Sequence, residues 1–357
     1  MKVAIVYDRV NKWGGAERVL LTLHELFPEA PLYTAVYDAK KAPWARVFPK
    51  VVPSFLQKIP FLNKKHEFIS YLTPLAFESF NFSEYDLVIS VTSESAKGIV
   101  VRGRHICYCL TPTRYLWSSY DFYFRNPFLK IISKPVVNYQ RNWDFLAAQR
   151  PNELIAISTA VQKRIKKYYQ RKSQIVFPPV DLSKFDSQKT YSKKDYYLLV
   201  SRLVPYKKVN LAIEAFNRLG KKLIVVGTGS QSLRLKYLAK RNISFIKNPS
   251  DSELAKLYGE AKALIFPQEE DFGIVALEAQ AMGTPVIAFE KGGATDTVIS
   301  GKTGIFFEKQ TVGSLIKAVA DFEKMKFEQK EVKANAQRFS KEFFKQSLLR
   351  IIENTLH

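Results

Sequence analysis

The stretch Phe266-Pro267-Gln268-Glu269-Glu270-Asp271-Phe272-Gly273-Ile274-Val275-Ala276-Leu277-Glu278-Ala279 decides how this chain is read. An apolar run closes at Phe266–Pro267, a loop carries three acids, and Gly273 opens a segment with helical spacing. A strand that passes through a loop and a glycine into a helix is the βα unit of a parallel sheet. The exposed N–H groups at such a helix start can bind phosphate oxygens. Gly273 allows close backbone approach there, with Phe272, Ile274 and Val275 beside it. Glu270 in the loop and Glu278 inside the helix suit hydrogen bonds to sugar and ribose hydroxyls. Acids near a helix start also simply complement its dipole, and on these residues alone both readings stand.

Outward from this unit the pattern repeats. Tyr196–Val200, Leu223–Val226, Ile243–Ile246, Ala263–Phe266, Val286–Phe289 and Ile305–Phe307 read as buried strands, with helices such as Leu211–Leu219, Ser252–Ala261 and Ile274–Met282 between them. An earlier series reads the same way: Val3–Tyr7, Asp86–Val91, His105–Leu110, Leu154–Ile157 and Ile175–Phe177, with helices Ala16–Phe27 and Thr159–Tyr169. Continuous apolar strands alternating with helices imply parallel sheets covered on both faces. Pro178-Pro179-Val180-Asp181 and the polar stretch that follows mark a seam. The expected architecture is α/β: a Rossmann-like domain over 1–180, a second over 181–338, and a closing C-terminal helix over 339–357. The two doubly wound domains are expected to face each other across a cleft, with ligands beyond the carboxyl ends of the strands.

The 357 residues carry 55 Lys+Arg against 33 Asp+Glu, a net charge of +22. Residues 1–180 hold 26 basic and 13 acidic residues and the remainder 29 and 20, so no separate basic tail explains the excess. Such a field favours polyanions or an anionic membrane face; a generally basic soluble surface is the plainer alternative. Cys107 and Cys109 sit two apart in a strand-like run, pointing the same way, which suits reduced thiols better than a disulfide. No run reaches the ~18 apolar residues of a membrane span, and Lys2–Tyr7 lacks the form of a signal peptide. A cytoplasmic protein is expected, peripheral on the inner face of the membrane if it touches one.

Three further motifs bear on function. Arg202 and Lys207 follow the strand Tyr196–Val200, and two cations beyond a strand end suit a diphosphate. Gly227 and Gly229 follow the next strand, though a G-x-G alone is weak evidence. Gly14 and Gly15 follow the first strand and open a helix, where backbone N–H groups can approach an anion; a plain loop-to-helix turn explains them equally. There is no G-x-G-x-x-G, no G-x-x-x-x-G-K-[ST], no D-x-D and no Cys/His cluster with zinc spacing. A dinucleotide cofactor and a P-loop are therefore disfavoured, and no metal is demanded.

Taken in order, Arg202 and Lys207, Gly227-Thr228-Gly229, the E-x7-E motif Glu270…Glu278, Ala281–Ala288 and Gly292-Gly293 resemble family 4 of the retaining nucleotide-sugar glycosyltransferases. That family has the GT-B fold. The resemblance covers nearly the whole second domain. The first domain agrees more loosely, through Gly14-Gly15-Ala16-Glu17 and Thr111-Pro112-Thr113-Arg114-Tyr115-Leu116-Trp117. The latter is similar to bacterial mannosyltransferase-like members that build surface polysaccharides. Leu110 stands where members with this segment often have His, so either another group holds the transferred sugar, or activity or donor choice differs. Asp296 stands where the family often has Glu.

The resemblance implies transfer of a hexose, mannose from GDP-mannose, with retained anomeric configuration. Arg202, Lys207 and Glu270 are its expected catalytic residues. Gly14, Gly15, Gly227, Gly229, Phe272, Gly273, Ile274, Val275 and Glu278 are its expected donor-binding residues. No cofactor and no metal are expected beyond the nucleoside diphosphate sugar itself. The acceptor would be a glycan or a lipid-linked sugar bound by the first domain. The segments Pro53–Lys65 and Tyr120–Arg141 interleave apolar and basic residues. Lys58, Lys64, Lys65, Arg125, Lys130 and Lys134 are candidates for contact with an anionic leaflet; inter-helix packing is the alternative. A catalytically silent nucleotide-sugar-binding protein or an epimerase on the same fold would also account for Leu110. A basic nucleic-acid-binding protein fits the charge alone; no nucleic-acid motif accompanies it, and no nucleic-acid partner is expected.

Overall fold

The computed structural model describes residues 1–59, 71–124, 126–182, 185 and 191–356. The chain forms two compact units, Met1–Pro179 with Phe344–His357, and Val180–Phe343. The first holds strands β1 (Val3–Tyr7), β2 (Leu32–Thr34), β3 (Val51–Pro53), β4 (Leu87–Thr92), β5 (Arg104–Cys109), β6 (Glu153–Ala156) and β7 (Gln174–Ile175). They pair in parallel in the order β3-β2-β1-β4-β5-β6-β7. The second holds β8 (Tyr197–Val200), β9 (Leu223–Val226), β10 (Ile243–Ile246), β11 (Leu264–Phe266), β12 (Val286–Phe289) and β13 (Gly304–Phe307). These pair in parallel as β10-β9-β8-β11-β12-β13.

Strand alternation shows why the apolar runs are continuous. Tyr197 and Leu199 of β8 enter one buried cluster, with Ile265, Ile287 and Phe289. Leu198 enters the other, with Leu264, Phe266, Val286 and Ala288. Both faces of the sheet are therefore covered, and the side chains of β11 and β12 are buried whichever way they point. In each unit the strand order reverses direction once, between β1 and β4 and between β8 and β11. The carboxyl ends of those pairs are the switch points where doubly wound sheets bind ligands.

Three elements depart from the expectation. Strands β2 and β3 had not been foreseen. The long helix Pro127–Ala147 runs through Pro135, although proline removes a backbone donor and normally interrupts a helix. The last helix, Lys341–Leu356, packs in the first unit from Phe344 onward. There the Phe344 ring stands edge-on to Tyr108 at 5.7 Å, and Lys345 pairs with Glu25 at 2.7 Å. Both cysteines are buried, and neither forms a disulfide. Among the described residues no helix is long and apolar enough to cross a membrane.

Candidate functional site

The second unit's switch point gathers three of the expected residues. After β8 the chain makes a turn at Pro205–Lys207 and passes through Lys208, whose φ is +53°, into helix Val209–Leu219. After β11 it runs through Gln268 and Glu270 to Gly273. The Lys207 ammonium lies 2.5 Å from Glu270 Oε1, with both side chains largely shielded from solvent. Gln268 Nε2 donates to the same oxygen at 2.8 Å. Both contacts fall on Oε1; Oε2 takes part in neither. Arg202 donates to the Tyr206 hydroxyl at 2.5 Å, and Lys207 sits over the Tyr206 ring, 5.3 Å from its centroid. Tyr206 thus links the two cations. Neither Tyr206 nor Gln268 was singled out from the sequence, although each touches residues of its own loop.

The main chain around Glu270 is clamped. Gly293 donates its N–H to the Glu270 carbonyl at 2.7 Å, and Gln310 Nε2 donates to the Pro267 carbonyl at 2.8 Å. A Cβ at Gly293 would lie 2.2 Å from Phe272 Cα, so only glycine lets the two segments meet. Gly273, at φ +93°, caps helix Ile274–Ala281, and no side chain caps that first turn. The helix start keeps N–H groups for an anion. Glu278, one turn further, is buried, and its Oε2 accepts from the Tyr258 hydroxyl at 3.0 Å.

The structure gives some expected binding residues a different local reason. A Cβ at Gly227 would stand 1.9 Å from the Ser201 carbonyl oxygen, and one at Gly229 2.3 Å from that of Leu203. These glycines let the loops after β8 and β9 lie backbone to backbone. The Phe272 side chain is buried, its ring tilted 5.7 Å from Phe339, so it faces the core and offers a ligand only its main chain. Among the described residues no three His, Cys, Asp or Glu side chains gather to hold a metal.

Gly14 and Gly15 belong to the first unit. Gly15 is the N-cap of helix Ala16–Leu26, again with no side-chain cap. A Cβ at Gly14 would come 3.1 Å from Glu17 Oε2. Glu17 is buried and accepts from the Tyr7 hydroxyl on Oε1 at 3.1 Å, while Oε2 has no hydrogen-bond partner. The loops after β1 and β4 are joined by Asp8. Its carboxylate accepts from Thr92 Oγ1 at 2.8 Å and from the N–H groups of Ser93, Glu94 and Ala96 at 2.7, 3.1 and 3.0 Å. Beneath the Thr111–Trp117 segment lies a buried ion pair, Lys97–Asp144 at 2.6 Å. Asp144 also accepts from Thr113 Oγ1, Trp117 Nε1 and the Tyr169 hydroxyl, each at 2.8 Å. Leu110 follows β5 and bonds the Thr92 carbonyl through its N–H at 2.8 Å. Sequence reasoning missed Asp8, Lys97 and Asp144: these partners of the Asp8 carboxylate lie 84 to 88 residues away, and Asp144 reaches Trp117 and Tyr169 at separations of 27 and 25.

Comparison with known proteins adds to this geometry. Residues 181–339 match the family model described as glycosyl transferases group 1. Over 204 residues the chain is 26% identical to an uncharacterized glycosyltransferase of Methanocaldococcus jannaschii, covering 55% of this chain and 57% of that protein. Over 140 residues it is 32% identical to a GDP-mannose-dependent alpha-(1-6)-phosphatidylinositol monomannoside mannosyltransferase of Mycolicibacterium smegmatis, covering 34% and 37%. The matches thus span about half the length of these relatives or less. Among solved structures, Anabaena HepE in complex with UDP superposes with a TM-score of 0.74 at 18% identity, over 99% of this chain and all of that one. At that identity the likeness concerns the fold, and it is the GT-B fold.

Proposed function

We propose that this chain, whose residues 181–339 match the family model of the group 1 glycosyl transferases, moves a hexose from a nucleoside diphosphate sugar to an acceptor hydroxyl with retained configuration. The observation that carries the reading is the meeting of Lys207 with Glu270 at the second unit's switch point. A donor diphosphate there would lie with its negative charge toward Arg202, Lys207 and the uncapped start of helix Ile274–Ala281. The bond from the sugar C1 to the β-phosphate oxygen breaks, and the acceptor oxygen bonds C1 on the same face. The acceptor proton passes to a phosphate oxygen, and the nucleoside diphosphate leaves. Negative charge grows on the β-phosphate along this path, where prepositioned donors stabilise the transition state most. Glu270 Oε2 holds sugar hydroxyls, and Glu278 the ribose. Arg202 and Lys207 supply the positive field that a metal would otherwise bring.

GDP-mannose is the donor this reading favours, supported by the mannosyltransferase-like segment Thr111–Trp117 and by the printed GDP-mannose dependence of the Mycolicibacterium relative. The UDP bound by HepE makes UDP-sugars the competing donors. A lipid-linked acceptor at an anionic leaflet is favoured because the relative's acceptor is a phosphatidylinositol mannoside and this chain carries +22. The first unit would receive the acceptor. The deciding experiment is donor turnover across GDP-, UDP- and ADP-sugars, with and without EDTA. GDP release from GDP-mannose, unchanged by EDTA and slowed about 10²-fold or more in Lys207→Ala, is expected. Nucleotide binding with no turnover of any donor would identify a silent binding protein instead. Activity lost to EDTA and restored by Mg²⁺ or Mn²⁺ would overturn the metal-free reading.

A further inference from the structure

The helix Pro127–Ala147 presents its faces in an unusual way. Its inward row is Val137, Gln140, Asp144 and Ala147, all buried. Its outward row is Phe128, Ile131, Ile132, Val136 and Tyr139, exposed at 69, 72, 58, 45 and 72%. Steps of three and four residues place these on one stripe, about 16 Å long at the helical rise. Exposure on this scale rules out inter-helix packing among the described residues as the reason for these apolar side chains. A contiguous apolar strip on a protein surface marks a contact with something apolar.

The charges say what that contact is. The helix carries three cations, Lys130, Lys134 and Arg141, and one acid. That acid, Asp144, is buried and paired with Lys97, so every charge of the helix that reaches solvent is positive. Lys130 shares its charge with exposed Asp121 at 2.6 Å, whereas Lys134 is exposed. The chain as a whole carries +22. A second copy of such a face would bring like charges together; an anionic leaflet would not. Lys64, Lys65 and Arg125, which the sequence also offered, lie outside the described residues, as does the stretch 60–65.

The geometry points to an anionic lipid leaflet as the occupant. The helix lies in the headgroup plane with its outward stripe in the acyl boundary and Lys130 and Lys134 at the phosphates, while Arg141 is held by the Leu116 carbonyl and the Tyr120 ring. This rests on the lipid-linked acceptor proposed above and adds the device that holds the enzyme beside it. The helix lies on the leaflet rather than spanning it, because Gln140 and Asp144 occupy its inward row and no described helix meets the requirements of a span. Exposed Tyr123 and Tyr139 suit the headgroup level, where amphipathic rings accumulate. Pro135 is tolerated there: it denies a hydrogen bond to the Ile131 carbonyl, and water at the interface can supply one.

The test is flotation with phosphatidylglycerol–phosphatidylcholine vesicles against phosphatidylcholine alone. Wild type should float with the anionic vesicles and be released by salt, as the Debye length shrinks from ~10 Å at 0.1 M to ~3 Å at 1 M. Each large apolar side chain withdrawn from water is worth roughly tenfold in partition. The variant Phe128→Gln/Ile131→Gln/Ile132→Gln should therefore lose about 100-fold or more. Its release of nucleotide from donor in vesicle-free solution should be unchanged, which separates a failure of this inference from a failure of the proposed activity. Wild type staying in solution with both vesicle types at low salt overturns it. So does a triple variant that floats like wild type, or a wild-type dimer that the triple variant dissociates.

Discussion

Lys207 Nζ stands 2.5 Å from Glu270 Oε1 although the residues are 63 positions apart. The two meet because β8 and β11 are neighbours at the point where strand order reverses. In the proposed reaction, the donor's diphosphate would engage Lys207 and its sugar hydroxyls Glu270.

Lys207→Ala and Arg202→Ala should each lower kcat by about 10²-fold or more, the effect of removing one charge-stabilising donor. Glu270→Gln should lower it too, since the amide keeps a hydrogen-bonding shape but releases Lys207 from its partner. Tyr206→Phe should cost less, because it frees Arg202 without removing its charge. Steady-state kinetics on folded variants decide this, and near-normal turnover in either cation variant sinks the assignment.

Gly293→Ala tests whether the clamp on the acidic loop matters. Its Cβ would fall 2.2 Å from Phe272 Cα and 2.3 Å from the Phe272 carbonyl oxygen. Main-chain atoms cannot rotate aside, so the Glu270–Gly273 segment must move. A misplacement of about 1 Å can cost 10²-fold in rate. Gly301→Ala is the control, with a left-handed φ of +78° but open space around it. It should carry backbone strain while leaving kcat near wild type. Equal activity losses in the two variants would refute the clamp.

Much of this was legible along the chain. The bounds of β1, β9, β10 and β12 coincide with apolar runs, since strands buried on both faces need no alternation. Strands β2 and β3 were not legible. Each has three residues, every residue of β3 is only partly buried, and β3 ends in Pro53. They exist because β1 offers a free edge, which is a tertiary fact. The helix Pro127–Ala147 was obscured by Pro135 and by an apolar row that faces outward, where a soluble pattern would place polar residues. At the site, Glu270, Lys207 and Gly273 stood out because charge and glycine beside a strand end carry local meaning. Tyr206 and Gln268 did not: a neutral tyrosine or glutamine in a loop carries no such mark, although what they touch, Arg202, Lys207 and Glu270, lies in their own loops.

Asp144→Ala should destabilise the first unit by about 3–5 kcal/mol, because it leaves the Lys97 charge buried and uncompensated. Burial opposes that charge, but Asp144 outweighs it and holds the Lys97 pKa above its ordinary value. A raised lysine pKa means the pair's contribution is present at neutral pH and is lost only as pH rises through the folded-state pKa. Lys97→Met/Asp144→Leu should recover much of the loss, since removing both members removes the stranded charge. All four tryptophans, Trp13, Trp44, Trp117 and Trp143, lie in the first unit. Tryptophan emission during urea unfolding therefore reads that unit alone. An Asp144→Ala midpoint equal to wild type would show that the pair is not what holds Thr113 and Trp117 in place.

His105 gives the first unit an acid limit. It is buried at the second residue of β5, with Nε2 2.8 Å from Ser90 Oγ and its main-chain N–H donated to Asn152 Oδ1 at 2.8 Å. Burial, with Arg150 and Arg171 adding to it, lowers its pKa to about 3. An unfolded histidine titrates near 6.5. Between these values the unfolded chain binds a proton that the native chain refuses. Stability attributable to His105 is therefore complete above pH ~6.5 and declines as pH falls towards 3, by about 1.4 kcal/mol per pH unit. At pH 5 the cost is about 2 kcal/mol. His105→Gln keeps a side chain that can bond Ser90 and cannot take up a proton in this range. It should be less stable than wild type at pH 7.5, where the better packing of the ring counts. Its stability should then fall less between pH 7.5 and pH 5, by the same ~2 kcal/mol. Urea unfolding followed by tryptophan emission at the two pH values measures that difference directly. Acidic carboxylates contribute to the slope of both proteins and cancel in the comparison. If the wild-type and His105→Gln midpoints fall in parallel, the ring is protonated in the native state and the buried Ser90 contact is not what it resists with.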